Sequence, residues 1–146
     1  MSVLFNETMT VYNFSLDADG SEKWRRTIVR GVQWRHGKRE VTVKDQVATE
    51  SRVESITVDF QRSYGNMPYV SPDQYRKLTA EEKDNCWTLD DRTEKDVIVY
   101  GERTEEISRE YRLSALMKEY QYAVTVREVS DNRNRRGLKT IKAVGS

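Results

Sequence analysis

The chain has 146 residues, a length that fits one domain with a hydrophobic core of its own. Its 25 basic and 24 acidic residues leave a net charge of +1, so a protein that works by coating DNA phosphates, which needs a basic excess, is disfavoured. The single cysteine excludes a disulfide scaffold and a cysteine-based zinc site. Charged residues make up 34% of the chain, which suits either charge-complementary contacts with proteins or a well-solvated surface.

The N-terminal residues predict neither a signal peptide nor a membrane anchor. No basic segment precedes their three consecutive apolar residues, and no apolar run in the chain approaches the about 20 residues that span a bilayer. We therefore expect a protein made in the cytoplasm with no membrane partner. We also expect residues 1–8 to form a flexible arm and residues 9–146 to form a single domain.

Alternating apolar residues predict strands through the first half of the chain. Residues 11–16 form the first strand, followed by a turn at 17–21. In a long second strand Trp24, Ile28, Val32 and Trp34 share one parity, and Gly31 marks a bulge or a bend. The next predicted features are a hairpin tip at 36–38, a returning strand that carries Val41 and Val43, a loop or exposed edge at 44–52, and a half-buried strand at 56–60.

The second half combines short helices with further strands. A loop at 61–70 leads to a helix start at Ser71, and Thr79 opens a second helical turn with capping-box spacing. Residues 96–100 are an apolar strand. Residues 105–120 are ambiguous, and we favour a strand to about 112 followed by a short helix begun by Ser114. A strand at 122–128, with Val129 displaced from its face, precedes a basic loop and a closing strand at 138–144.

Seven or eight strands with one or two short α-helices predict a mainly β protein. In a chain of this length the arrangement is an antiparallel β-barrel or sandwich.

No constellation of catalytic residues, metal ligands or cofactor-binding residues emerges from the sequence. Residues 17–20 begin like a calcium loop but lack its later acidic positions. His36 is the only histidine and is interpreted as an exposed surface residue, while Cys86 is interpreted as a small buried side chain beside Trp87. Two adjacent acidic pairs, Asp90 with Asp91 and Glu105 with Glu106, point to opposite faces if they lie in strands, so neither forms a dyad by itself.

The basic loop holds the most concentrated charge in the chain. It either contacts an acidic protein surface, contacts DNA phosphates if it lines a channel, or has no partner. Its candidate contact residues are Asp131, Asn132, Arg133, Asn134, Arg135 and Arg136.

Four aromatic residues, Trp24, Trp34, Tyr64 and Tyr69, leave a second question open. They form either a stacking platform for single strands or sugars, or parts of a core or subunit interface.

Four stretches resemble the small head–tail connector proteins of tailed bacteriophages, in particular the head-closure or stopper-like group of phages and prophages of Gram-positive hosts. The stretches are TVYNF (10–14) with WRRTIVRGVQW (24–34); ITVDF (56–60) with YVSP (69–72); WTL (87–89) with DVIVYG (96–101); and YRLSAL (111–116), VTVREVSDN (124–132) and KTIKAV (139–144). The likeness covers residues 10–144 and consists of strand order and scattered residues. The long segment 61–91 and the lack of a glycine-rich plug loop depart from the group.

The resemblance implies a non-enzymatic virion protein without a cofactor. Six or twelve copies would form a ring between portal or adaptor and tail-terminator or tail-tube proteins, with packaged double-stranded DNA passing through the lumen. The protein would lie in the virion neck, and in the host cytoplasm during assembly. In such a ring the predicted hairpin tip, with His36, Lys38 and Arg39, is a candidate for the lumen, and the basic loop is a candidate inter-subunit contact.

Three alternatives stay open at this point. The chain is similar enough to other neck proteins to be a tail terminator or another tail-completion protein. The basic loop and dispersed aromatic residues also suit a nucleic-acid-binding β-barrel. An enzyme of unknown type is the third, although no constellation supports it.

Overall fold

The computed structural model describes residues 6–17, 19–61, 63–65, 67–133 and 139–146. Within them the chain forms seven strands and three short helices. In chain order these are β1 (Glu7–Leu16), β2 (Glu22–Lys44), β3 (Val47–Asp59), β4 (Tyr64–Gly65), α1 (Pro72–Lys77), α2 (Ala80–Lys83), β5 (Val97–Tyr100), α3 (Leu113–Glu119), β6 (Ala123–Asp131) and β7 (Thr140–Gly145).

Six of these strands close into an antiparallel barrel. Their spatial order is β1-β5-β6-β7-β3-β2, and β2 pairs again with β1, so the ring of neighbours has no break. The short β4 adds to β2 beside Val29 and Arg30. The predicted fold class, a mainly β antiparallel barrel or sandwich, is confirmed, with one more short helix than expected.

Strand β2 pairs with two neighbouring strands in succession. Its residues 22–32 pair with β1, and its residues 33–44 pair with β3. The partners of Arg30 and Val32 are consecutive on β1, so Gly31 is an extra residue with a φ of 74°. The predicted bulge at Gly31 is confirmed, and glycine suits it because this left-handed conformation strains other side chains.

The bulge reverses which side chains of β2 face the barrel interior. Before it the buried residues are Arg25, Thr27 and Val29; after it they are Val32 and Trp34. The prediction that Trp24 and Ile28 share a face with Val32 and Trp34 is therefore wrong, because one extra residue inverts the alternation of a strand.

Every barrel strand contributes apolar side chains to one core. Its fully or nearly buried members are Met9, Val11, Val29, Val32, Trp34, Ile56, Val58, Trp87, Leu89, Ile98, Val124, Val126, Ile141 and Ala143. On β6 the register shifts between Val126 and Glu128, so Glu128 is exposed and Val129 packs against the core. The prediction that Val129 is displaced from the face of Val124 and Val126 is therefore wrong, because the extra residue inverts the alternation of the strand.

A second apolar cluster covers the outside of β1 and β5. Tyr12, Val97, Val99 and Leu116 are fully buried there, beneath α3 and the irregular segment 101–112. This explains the continuous apolar run at 97–99, since both faces of β5 are buried. The expected strand at 105–112 is wrong, and the helix begins at Leu113 rather than Ser114.

Helix caps account for the two helices before β5. The Ser71 side chain accepts a hydrogen bond from Gln74 N, and Pro72 holds the first helical position. The Thr79 side chain accepts from Glu82 N in the same way. Both predicted helix starts are confirmed.

Two predicted boundaries change. Glu7 and Thr8 belong to β1, so the predicted arm at 1–8 is too long; residues 1–5 lie outside the described residues. The closing strand begins at Thr140 in the described part of the chain, and Leu138 lies outside that part. None of the described helices has the length and apolar character needed to cross a membrane.

Candidate assembly site

Beyond the barrel, β2 and β3 continue as a two-stranded hairpin. Its pairs run from Arg39 with Arg52 to Lys44 with Val47. Every side chain described between 41 and 48 is exposed, so this hairpin projects from the barrel. At about 3.3 Å per residue, the seven residues from Lys38 to Lys44 span roughly 20 Å. We call residues 38–52 the hairpin arm.

The arm ends in a two-residue turn formed by Asp45 and Gln46. Their φ values of 52° and 65° are both left-handed, which is the geometry of a type I′ hairpin turn. The prediction of a hairpin tip at 36–38, with Val41 and Val43 on the returning strand, is therefore wrong. Both valines still lie on the outgoing strand β2.

The arm carries an unusual share of exposed apolar surface. Among the described residues, the large apolar side chains that are exposed are Leu16 60%, Val41 60%, Val43 69%, Val47 63% and Val53 46%. Four of these five lie on the arm or at its base. Pairing places Val43 beside Ala48 on one face of the hairpin, whereas Val47 pairs with Lys44 on the other. Clustered exposed apolar side chains are characteristic of a surface that binds another protein.

A bulge and a buried carboxylate fix the base of the arm. The partners of His36 and Arg39 are Glu54 and Arg52, so residues 37 and 38 together oppose residue 53. Glu54 is only 1% exposed, and its Oε2 accepts hydrogen bonds from Trp34 Nε1 at 3.3 Å and from Gly37 N at 3.2 Å. A β-carbon on residue 37 would lie 1.7 Å from the Val53 carbonyl oxygen, so the bulge needs glycine there.

His36 lies in an aromatic cluster at this base and not at a hairpin tip. Its ring centroid is 4.1 Å from that of Tyr122, and its Nδ1 is 3.2 Å from Glu54 Oε2. Trp34 meets Tyr100 edge-on at 5.3 Å in the same cluster. The side chain of His36 is 40% exposed, so the histidine is partly at the surface and also held by neighbours. The other two residues of the predicted tip, Lys38 and Arg39, lie in β2 just beyond it.

The described part of the basic loop is tied to the barrel. Arg133 donates through its backbone N, Nε and Nη2 to the carboxylate of Asp131, and its guanidinium lies over the ring of Tyr69 at 4.9 Å. The hydrogen bonds from Arg133 lower the pKa of Asp131. Asn132 N donates to Thr140 O at 2.9 Å. The charge of Arg133 is thus neutralised locally, while Asn134, Arg135 and Arg136 lie outside the described residues.

The structure does not bring the two predicted contact sites together. Along β7, Gly145 pairs with Glu54 at the base of the arm, and Thr140 pairs with Asp59 near the basic loop. Five residues of strand, roughly 17 Å, separate them. Nor do Trp24, Trp34 and Tyr69 form one platform: Trp34 is in the core, Trp24 packs on Phe14 outside the barrel, and Tyr69 packs on Trp87. The side chain of Tyr64 lies outside the described part of the structure.

The acidic pairs divide between separate partners. Asp90 accepts from Arg76 Nη1 at 2.9 Å, while Asp91 accepts from Val129 N at 3.0 Å. Glu105 accepts from Tyr120 OH at 2.6 Å, and Glu106 accepts from Arg26 Nε at 2.8 Å. In the described ranges no group of three or more His, Cys, Asp or Glu side chains is placed to hold a metal ion.

Two features escaped sequence reasoning. The first is the length of the arm. The alternation of Val41 and Val43, which continues to Lys44, is the sequence pattern that indicates it. The second is Asp96, which is 1% exposed and accepts hydrogen bonds from Asn13 Nδ2 at 2.8 Å, Phe14 N at 2.8 Å and Asp90 N at 3.1 Å. Burial raises the pKa of Asp96 to about 7. The only sequence pattern that points to this buried carboxylate is an acidic residue directly before an apolar strand.

The chain belongs to a family of unknown function, DUF6751, whose model matches residues 4–146. No curated protein and no solved structure matches it.

Proposed function

We propose that this protein is a structural subunit that assembles into a ring through its hairpin arm, and that the ring belongs to the neck of a tailed bacteriophage. The observation that carries the proposal is the arm, which exposes Val41, Val43 and Val47 to solvent by 60–69%. Burying such side chains against a partner is favourable, at about 25 cal/mol per Å² of apolar surface. A hairpin that leaves its own barrel suits contacts between subunits.

The resemblance to head-closure proteins supports the place of the ring. In that role the subunits join portal or adaptor to tail-terminator or tail-tube proteins, and the lumen holds packaged DNA without reading its sequence. A tail terminator or another neck protein would use the same arm and the same ring, so the proposal covers the neck rather than one layer of it.

The ion pairs of the surface arginines argue against the alternative function, a nucleic-acid-binding module. Five arginines, on different parts of the surface, have a carboxylate within 3.2 Å, which leaves their charge already compensated. These pairs are Arg26 with Glu106, Arg30 with Glu102, Arg76 with Asp90, Arg127 with Glu94 and Arg133 with Asp131. Binding to DNA phosphates draws on uncompensated basic side chains.

Native mass spectrometry over a concentration series tests the assembly. We expect the full chain to populate oligomers, alone or with a portal–adaptor complex. A variant in which Asn-Gly replaces residues 37–53 should stay monomeric, because it joins the paired residues His36 and Glu54 through a two-residue turn and lacks the arm. A full chain that is monomeric throughout and never joins the neck complex would contradict the proposal.

Gene order gives an independent test of the phage assignment. Portal, capsid and tail genes on both sides of the coding gene are the expected result. Metabolic or regulatory neighbours in every genome that carries the gene would remove the phage neck from the proposal.

A further inference from the structure

A cavity of about 500 Å³ opens at the start of β2, far from the arm. Its apolar walls are Trp24, Ile107 and Leu113, which are partly buried members of the second apolar cluster, on the outside of β1 and β5. Its volume lies in the range of cavities that hold a ligand or an anchoring side chain. The part of the chain that lines it includes the irregular segment before α3, so the walls come from elements that pack on the barrel from outside.

The rim of this cavity carries charges of both signs. Arg109 and Arg112 line the cavity and are exposed, and neither side chain forms an ion pair with a described residue. Glu22 also lines the cavity and has Lys95 Nζ at 3.5 Å. The rim therefore offers two uncompensated cations and one carboxylate beside the apolar walls.

We propose that this cavity receives the arm of a second copy of the chain. The inference rests on the proposed function and names the surface that the arm contacts. The exposed valines Val41 and Val43 supply apolar side chains that can pack against Trp24, Ile107 and Leu113. At the tip of the arm Asp45 is exposed and carries a negative charge, which complements Arg109 and Arg112. Lys44 lies on the opposite face of the hairpin from Val43 and so points away from the cavity.

The position of the two surfaces requires that the contact join different copies. Trp24 is near the start of β2 and Val41 is near its end, in one strand that runs Glu22–Lys44. Seventeen residues of strand, roughly 55 Å along the chain, lie between them. Because the arm is held in register with β3, it cannot fold back onto the cavity of its own chain. A contact between two different surfaces is head-to-tail, and repeated head-to-tail contacts produce a ring when the rotation closes.

Cysteine cross-linking between two variants tests the contact. One variant carries Val43→Cys and the other Leu113→Cys, both with Cys86→Ala to remove the native thiol. Mild oxidation of the mixture should give a disulfide-linked heterodimer in high yield. Adding Arg109→Glu and Arg112→Glu to the cavity variant should lower this yield several-fold. Circular dichroism and thermal unfolding establish that each variant folds, and Ile107→Cys replaces Leu113→Cys if the latter does not.

Leu16→Cys is the matched control. Leu16 is 60% exposed, as is Val41, and it lines a different cavity together with Phe14 and Tyr75. The inference is overturned if Val43→Cys gives no more disulfide-linked heterodimer with Leu113→Cys than Leu16→Cys gives with the same partner. If Val43→Cys links instead to itself while the full chain still forms oligomers, arms pair with arms, and the inference fails although the proposed function stands. If the full chain is also monomeric, both fail.

Discussion

Asp96 is the residue on which the polar contacts beside β1 depend. Its two carboxylate oxygens accept from the side chain of Asn13 and from the backbone of Phe14 and Asp90. Asn13 in turn donates to Thr88 O at 2.6 Å and accepts from Thr88 N at 3.2 Å. One carboxylate therefore fixes the segment before β5 to the first strand, and removing an acceptor from such a buried network leaves donors unsatisfied.

The burial of Asp96 predicts a pH dependence of stability. Its pKa is about 7 in the folded protein and near its ordinary value of about 4 in the unfolded chain, so between these values the folded protein binds the additional proton. The contribution of Asp96 to the free energy of unfolding is therefore highest below about pH 4 and falls as pH rises to about 7. The slope approaches about 1.4 kcal/mol per pH unit for one proton.

Urea unfolding across this pH range measures the effect. In Asp96→Asn the slope should be shallower than in the native chain, whereas the exposed Asp45→Asn should leave it unchanged. Identical slopes in the native chain and Asp96→Asn would show that burial of this carboxylate does not govern the pH dependence.

At the scale of elements, the arm was the feature that sequence reasoning placed worst. Gly37 follows the only histidine and looks like a turn residue, but it occupies a bulge in which a β-carbon would meet Val53 O. The real turn, Asp45 with Gln46, contains an aspartate but neither glycine nor asparagine, so its composition gave only a weak turn signal. Helix starts at Ser71 and Thr79 were predictable because their capping chemistry is local.

Replacing Gln46 by glycine should tighten the arm. A left-handed conformation costs an L-residue about 1–2 kcal/mol, and Asp-Gly is a preferred type I′ pair. Hydrogen exchange of the amides near Lys44 and Val47 should slow several-fold. Gln46→Ala, which keeps the unfavourable φ, should not slow it; equal effects of the two changes would contradict the turn geometry.

Gly37→Ala should have the opposite effect on the same element. The added β-carbon forces the bulge open, so amide exchange in the arm should become faster. Exchange in the barrel, for example at Val58 and Ile141, should remain slow. Unchanged exchange in the arm would mean that the bulge does not need glycine.

At the scale of the molecule, barrel and arm are separable parts. The core draws on every barrel strand, while the described side chains at the end of the arm, Val41 and residues 43–48, are all exposed.

Alternation of apolar residues was enough to predict the fold class. It could not predict the closure of the barrel, since the pairing of β1 with β5 depends on residues far apart in the chain, nor the change of face at Gly31.

Replacing residues 37–53 by Asn-Gly should therefore leave the barrel intact. We expect the thermal unfolding midpoint to move by no more than a few degrees and the transition to stay cooperative. Calorimetry of the replaced and native chains measures this. A loss of more than about 10 °C would mean that the arm contributes to the core, against its exposure.

The position of β7 has a consequence for biosynthesis. This strand lies between β3, which ends at Asp59, and β6, which ends at Asp131. During translation β3 and β6 therefore have no shared neighbour until residues 140–145 have left the ribosome. The barrel therefore cannot close before β7 has been synthesised, so the order of translation delays barrel formation until that strand is available.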